Sequence, residues 1–135
     1  MNAVEAEALL RARGCTMTAQ RRAILSFLED NLAHPTASDV YDAITRDHPM
    51  ASRATVYNTL ALLVEVGALG VLWESDREAR YDPNVAHHHH AVCPDCGRID
   101  DIAAASVEIR LEGQPALGIV RFQRLCSRCQ GAARA

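Results

Sequence analysis

The sequence predicts an α+β fold with two domains, a winged helix-turn-helix over residues 1–82 and a small α/β domain over residues 83–135. Residues 1–67 carry apolar side chains at helical spacing between clear breakers. Two short apolar stretches follow, Ala68–Trp73 and Ala79–Tyr81, and they are typical of a β-hairpin. Helices followed by a hairpin indicate a winged helix-turn-helix, and two C-x-x-C pairs then distinguish the second domain.

The ends of the first two helices are marked by their residue types. Residues 3–13 form the first predicted helix, which Gly14 ends, and Thr18 is a suitable N-cap for the second. Arg21 lies away from the apolar stripe of this second helix. The residues that predict its buried face are Ile24, Phe27, Leu28 and Leu32.

Capping signals also open the third and fourth helices. Thr36 and Asp39 have the spacing of a capping box, and Asp47-His48-Pro49 ends the third helix. Ser52 caps the fourth helix, and Gly67 ends it. The apolar faces comprise Ala37, Val40, Tyr41 and Ile44 in the third helix and Val56, Leu60, Leu63 and Val64 in the fourth.

The exposed face of the fourth helix begins with groups that suit DNA. A guanidinium, two hydroxyls and an amide can contact phosphates and base edges in a major groove, and they belong to Arg53, Thr55, Tyr57 and Asn58. Arg21 and, in the hairpin, Arg77 are further candidates for DNA contacts. The alternative is that these side chains are merely solvated or contact another protein.

The overall composition limits how the chain could bind nucleic acid. Its formal net charge is −3, so DNA binding must come from a local basic patch, and all 14 basic residues are arginine. The first ten residues do not resemble a signal peptide, and no apolar run approaches membrane-spanning length. We therefore expect a reduced, cytoplasmic protein that does not bind membranes.

Four cysteines form two C-x-x-C pairs separated by 29 residues, namely Cys93, Cys96, Cys126 and Cys129. Four thiolates suit tetrahedral zinc, and Gly97 provides the permissive backbone that the turn after Cys96 needs. A redox motif would require a βαβ pattern and disulfides a secreted context, and neither is visible. Cys15 is expected to be a packing residue.

Consecutive histidines, from His87 to His90, precede the first cysteine pair. In an extended segment His88 and His90 share one face, and His87 and His89 share the other. Histidine with nearby aspartate suits Fe(II), Mn(II) or Zn(II). A metalloenzyme that activates water is the competing class, but little chain remains for a substrate pocket. We therefore expect neither an enzyme nor an organic small-molecule substrate.

The chain resembles the ferric uptake regulator (Fur) family of metal-dependent transcription factors over nearly its whole length. The motifs that carry the resemblance are His34-Pro35-Thr36-Ala37, Ser52 to Tyr57, Arg80-Tyr81-Asp82, His87 to Gly97 and the last C-x-x-C pair. The resemblance implies a homodimeric winged-helix repressor that binds double-stranded operator DNA. Its second domain would dimerise and hold structural zinc, and a regulatory ion would bind both domains and favour the DNA-binding arrangement.

The resemblance also assigns ligands. The structural zinc site would use Cys93, Cys96, Cys126 and Cys129. The regulatory Fe(II) or Mn(II) site would use His34, Asp82, His88, His90 and Asp101. A weaker second site would use His87, His89 and Glu108, although its fourth ligand is missing.

Two aspartates with three histidines resemble the peroxide-sensing branch of the family more than the iron-sensing branch. In that branch Fe(II) reacts with hydrogen peroxide, a ligating histidine is oxidised and the DNA is released. The matching histidines are His34 and His88. An iron or manganese homeostasis regulator is the alternative, and a zinc-uptake regulator is less favoured because such relatives often have cysteine in place of Asp82. The short segment between the cysteine pairs departs from the family and leaves the dimer geometry open.

Overall fold

A computed structural model describes residues 1–72 and 77–133, and the chain divides into two compact units, Met1–Val85 and Ala86–Ala135. Both helices and strands are present, as the predicted α+β class requires. The division falls after Val85, three residues beyond the boundary that the sequence indicates. No helix in the described part of the chain is long and apolar enough to cross a membrane.

The described residues of the first unit form four helices, each opened by a side-chain cap. They are α1 (Ala3–Ala12), α2 (Ala19–Leu28), α3 (Ala37–Ile44) and α4 (Arg53–Glu65). The predicted caps Thr18 and Ser52 accept hydrogen bonds from backbone N–H groups of their helices. Thr36 and Asp39 form the complete reciprocal capping box. Polar residues at these positions therefore determine where the helices begin.

The core of the first unit is formed by the apolar faces of these helices. Its fully buried side chains include Leu10, Ile24, Leu25, Leu28, Val40, Val56, Leu60 and Leu63. Burial of each stabilises the unit by about 1.5–3 kcal/mol relative to exposure. The predicted burial of Leu32 is wrong, since this side chain is 72% exposed. Helix α2 ends at Leu28 and Asp30 adopts a φ of 55°, so the helical spacing does not extend to Leu32.

An antiparallel hairpin follows α4. Its strands are β1 (Gly70–Leu72) and β2 (Arg80–Asp82), with Val71 opposite Tyr81. Trp73, at the end of the first predicted apolar stretch, and residues 74–76 lie outside the described residues. Strand β2 also contacts the chain before α3, because the Tyr81 N–H donates to the Pro35 carbonyl at 2.9 Å. This pairing brings the residues beside Pro35 close to the end of β2.

The second unit is built on a three-stranded sheet. Strand β3 (His88–Val92) lies between antiparallel β4 (Ile99–Ala103) and parallel β7 (Arg121–Gln123). A small hairpin joins β5 (Arg110–Leu111) to β6 (Gln114–Pro115), and helix α5 spans Ser127–Ala133. Between β4 and β5 the described chain forms only a 3₁₀ turn, Ala104–Ser106. The short segment between the cysteine pairs thus contains strands but no helix longer than this 3₁₀ turn.

Candidate metal centres and nucleic-acid interface

The four paired cysteines come together in the second unit. One Sγ atom from each of Cys93, Cys96, Cys126 and Cys129 lies within 4.8 Å of the others. The Sγ atoms of Cys96 and Cys126 are 3.7 Å apart. A tetrahedral zinc ion with Zn–S bonds of about 2.3 Å would separate its sulfurs by about 3.8 Å. Both the donor type and this separation therefore fit zinc.

The first cysteine pair occupies a tight turn between β3 and β4. The Gly97 N–H donates to the Cys93 carbonyl at 2.9 Å, and the Cys93 N–H donates to the Arg98 carbonyl at 2.8 Å. Gly97 has a φ of 73°, in the left-handed region that glycine adopts without steric cost. The structure thus contains the glycine-dependent turn that the sequence indicates after Cys96.

The thiols of this cluster have opposing pKa shifts. Backbone N–H groups, first that of Cys126 and then that of Cys96, lower the pKa of Cys93 to about 6. Hydrogen bonding to the Cys126 sulfur, followed by that to Cys96, raises the pKa of Cys129 to about 12. Ionisation of Cys129 beside the other thiols is therefore unfavourable. A divalent metal ion would compensate the negative charge of the thiolates.

In the first unit, His34 and Asp82 form a buried pair. Nε2 of His34 lies 3.7 Å from Oδ2 of Asp82, and both side chains are almost fully buried. The backbone hydrogen bond from Tyr81 to Pro35 holds the adjacent residues, Asp82 and His34, close to each other. Oδ1 of Asp82 also accepts from the Asn84 N–H at 2.8 Å. His34 has a φ of 51°. Such a backbone costs a non-glycine residue about 1–3 kcal/mol and persists only where the surrounding structure holds it.

In the second unit, two histidines and one aspartate converge across β3 and β4. His90 is directly opposite Asp101 in the strand register, and Nε2 of His88 lies 2.9 Å from Nε2 of His90. Oδ1 of Asp101 lies 3.3 Å from the first of these nitrogens and 3.8 Å from the second. Two imidazoles and one carboxylate form a ligand set typical of Fe(II).

The orientation of the His88 ring is set by its other nitrogen. Nδ1 of His88 lies 2.7 Å from the Ala86 carbonyl, which can only accept a hydrogen bond. Nδ1 therefore carries the proton in the neutral ring, and Nε2 has a lone pair for a metal ion. Hydrogen bonds of this kind orient metal-binding histidines. The adjacent Asp100 instead accepts from Arg98 at 2.7 Å.

The opposite face of β3 differs from this arrangement. Nδ1 of His89 accepts from the Val120 N–H at 3.1 Å, so its lone pair is already used. The exposed His87 contacts the Gly118 carbonyl through Nε2, and Glu108 pairs with Arg110. Within the described residues, His87, His89 and Glu108 do not form a cluster of potential ligands. The structure therefore does not bring together the weaker second site that the resemblance implies.

The candidate DNA contacts begin at the N-terminus of α4. Arg53, Tyr57 and Asn58 are exposed, whereas Thr55 is partly buried and its hydroxyl lies 3.0 Å from that of Ser52. The Arg53 guanidinium lies over a tyrosine ring of α3. Three of the four predicted side chains on this helix are thus accessible to a partner.

The other two candidate DNA contacts differ in exposure. Arg77 is exposed at the edge of the described hairpin. Arg21 is partly buried, and its guanidinium donates to the Thr16 carbonyl. This contact gives Arg21 a role in holding the chain before α2.

Several residues that define these sites have no signal in the sequence. Ala86 and Val120 act through backbone groups, which every residue type carries, and they determine the tautomers of His88 and His89. Tyr41 is expected from its spacing to face the core, and it is partly buried there, but its ring also contacts Arg53. Only the aromatic character of Tyr41 could have indicated this second contact.

The model of the ferric uptake regulator family matches residues 12–118. The chain belongs to this family of regulators.

Similarity to individual proteins agrees with this assignment. The chain is 40% identical over 97 residues to the peroxide-responsive repressor PerR of Staphylococcus aureus (strain USA300), which corresponds to 72% of this chain and 66% of the relative. The match thus spans just under two thirds of the relative's length.

Two solved structures have the same fold. The structure of PerR from Streptococcus pyogenes matches with a TM-score of 0.57 and 28% identity, over 96% of this chain and 93% of that one. The ferric uptake regulator of Helicobacter pylori matches with a TM-score of 0.72 and 21% identity, over 93% of each chain. These matches confirm the predicted fold.

Proposed function

We propose that this chain is a metal-dependent dimeric transcriptional repressor, which binds operator DNA when its regulatory site holds Fe(II) or Mn(II) and which responds to peroxide. The observation that carries the proposal is the convergence of His88, His90 and Asp101, whose ligand atoms lie 2.9–3.8 Å apart. In a chain of this family, a cluster with the composition of an Fe(II) site is best explained as a regulatory centre.

The tetracysteine cluster would hold structural zinc. Four thiolates prefer Zn(II) to harder divalent ions, and the cluster ties the turn after β3 to the start of α5. Binding of zinc would contribute directly to the free energy of folding of the second unit, whose described residues form short strands, a 3₁₀ turn and a seven-residue helix. Its role would therefore be to maintain the fold.

The regulatory site would combine ligands from both units. His88, His90 and Asp101 provide three ligand atoms, whereas Fe(II) and Mn(II) generally take more. His34 and Asp82 form a second buried group of the same chemical type. We propose that one ion uses all five residues and thereby favours the relative arrangement of the units that binds DNA. The ion would shift the protein toward this arrangement because it binds more tightly to this arrangement than to others.

The DNA interface would be the exposed face of α4. Arg53, Tyr57 and Asn58 offer donors for base edges and phosphates, with Arg77 as a contact from the hairpin. Binding of this kind requires no turnover, and we propose that the chain is not an enzyme. Repression would take place in the cytoplasm.

Dimerisation would use the second unit. Strand β7 is at one edge of its sheet, and an edge strand presents backbone groups that can pair with another chain. Exposed apolar side chains accompany it, namely Leu111, Leu117, Ile119 and Phe122. Pairing of two copies through this edge would cover apolar surface that a monomer leaves in water.

The response to peroxide rests on the aspartate ligands and on the similarity to PerR of Staphylococcus aureus. Bound Fe(II) would activate hydrogen peroxide without being consumed overall, because peroxide is itself the two-electron oxidant of the ring. One peroxide oxygen would then be inserted into a C–H bond of the His34 or His88 ring, and the other would leave as water. The oxidised ring would be a poorer ligand, and DNA would be released.

Two related functions are alternatives. A regulator of iron or manganese homeostasis would use the same ligands without histidine oxidation. A zinc-uptake regulator is less favoured, because Asp82 and Asp101 provide hard carboxylate ligands. A soft thiolate ligand would select Zn(II) over harder metal ions.

DNA retention by protein purified without oxygen tests the proposal. Duplex operator fragments selected from random DNA should be bound after addition of Fe(II) or Mn(II) and released by a chelator. Retention that does not depend on metal would contradict the regulatory site. Metal-dependent turnover of a substrate without affinity for DNA would support a metalloenzyme instead.

A further inference from the structure

A side chain of α3 contacts the first residue of the helix that would bind DNA. The guanidinium carbon of Arg53 lies 4.3 Å from the centroid of the Tyr41 ring. The ring is itself fixed, because Tyr41 is partly buried against the core of the first unit. A cation over an aromatic face is attracted by the negative charge of the π system.

This contact leaves the hydrogen-bond donors of the guanidinium available. Among the described residues, no carboxylate forms a salt bridge with Arg53 and no acceptor takes a hydrogen bond from it. All five N–H donors lie in the plane of the group and remain free for a ligand. The contact with Tyr41 therefore restricts the long side chain without occupying it in a hydrogen bond to a protein acceptor.

We infer that Tyr41 is a positioning residue for DNA recognition, which holds the Arg53 guanidinium ready for a phosphate or a guanine edge. The inference rests on the proposed function. Tyr41 itself does not have to contact DNA. Its contribution is to reduce the number of side-chain conformations that Arg53 loses when DNA binds, since a preorganised group binds more tightly than a mobile one.

Three variants separate this role from a role in packing. Tyr41→Leu keeps an apolar side chain against the core but removes the aromatic face, and Tyr41→Phe keeps the face. Arg53→Ala provides the background for a double-mutant cycle. Operator affinity of the metal-loaded dimer is measured at one salt concentration for each single variant and for the double variant Tyr41→Leu/Arg53→Ala.

Tyr41→Leu should weaken operator binding roughly two- to fivefold, which corresponds to the strength of an exposed cation–π contact. Tyr41→Phe should bind like the unsubstituted protein. In the Arg53→Ala background, Tyr41→Leu should have no further effect. An equal loss in both backgrounds would show that the ring acts only through packing, and normal affinity of Tyr41→Leu would overturn the inference as well.

A measurement without DNA distinguishes failure of this inference from failure of the proposed function. The side-chain protons of Arg53 should have upfield NMR shifts from the ring current in the unsubstituted protein and in Tyr41→Phe, and these shifts should disappear in Tyr41→Leu. If the shifts are present but no variant binds DNA, the proposed function is wrong and the positioning role fails with it. If DNA binds and the shifts are absent, only the role of Tyr41 is wrong.

Discussion

The Nε2 atoms of His88 and His90 converge on the same face of β3, where they lie 2.9 Å apart. The arrangement follows from strand geometry, since residues two apart on β3 share a face. The Ala86 carbonyl fixes the proton of His88 on Nδ1, so that the converging nitrogen has a lone pair. Asp101 adds a carboxylate from the neighbouring strand. This face of β3 is therefore prepared for a cation.

We expect His90→Ala and Asp101→Ala to abolish metal-activated DNA binding while the tetracysteine zinc is kept, because the two clusters share no side chain. Loss of an outer-sphere partner lowers metal affinity by roughly 10- to 100-fold, and loss of a direct ligand should lower it by at least as much. Metal titrations monitored by DNA retention give the affinity, and elemental analysis gives the zinc content.

The matched controls lie on the opposite face of β3. His87→Ala removes an exposed imidazole and should leave metal activation unchanged. His89→Ala should affect metal activation less than His90→Ala, but it should lower the thermal midpoint because the ring is buried and accepts from Val120. Equal loss of metal activation in all these variants would contradict the assignment of the two faces.

Cys96→Ser should remove the structural zinc and destabilise the second unit. Structural zinc in small domains contributes on the order of 10 kcal/mol of binding free energy, which becomes free energy of folding. Zinc content, thermal midpoint and sedimentation should therefore change together. Cys15→Ser is the control, because Cys15 packs against the helical core of the first unit. A Cys96→Ser protein that retains its midpoint and dimer would exclude a structural role for zinc.

Much of this arrangement could be predicted from the sequence because it depends on local chemistry. Thr36 and Ser52 cap helices through their own side chains, and Gly97 meets the turn requirement of its cysteine pair. Burial of Leu32 was predicted incorrectly because helical spacing does not show where a helix ends. The left-handed backbone of His34 was also not predictable, since it depends on the packing around its segment.

Substitution of the exposed face of α4 should weaken DNA binding without changing metal content. Arg53→Ala should cost about 1–3 kcal/mol if the guanidinium contacts a base, and Tyr57→Ala should also weaken operator binding. Each phosphate contact should make the slope of log affinity against log salt more negative by about 0.9, so binding should fall steeply with salt despite a net charge of −3.

Arg11→Ala is a matched control for the loss of one positive charge, since Arg11 lies on α1 and pairs with Glu7. It should change operator affinity much less than Arg53→Ala. If Arg53→Ala and Tyr57→Ala bind the operator normally, the recognition surface lies elsewhere on the protein.

Peroxide should inactivate the iron-loaded protein through its ligating histidines. We expect His34 or His88 to gain the mass of one oxygen atom and operator binding to be lost, whereas the manganese-loaded protein should resist because Mn(II) does not readily drive this oxidation. Trypsin separates the two candidates, since His34 lies in residues 23–46 and His88 in residues 81–98. Fragmentation of the second peptide then identifies which of its four histidines is modified.

Asp101→Glu tests whether the aspartate ligand determines the response. The longer side chain keeps a carboxylate beside His88 and His90, so metal-activated DNA binding should persist while oxidation becomes slower. His48 lies outside both peptides and provides an internal control for oxidation that does not depend on the site. If iron-loaded protein still binds DNA after peroxide treatment and its histidines are unmodified, the chain does not sense peroxide. The same ligands would then serve a regulator that responds only to the supply of iron or manganese.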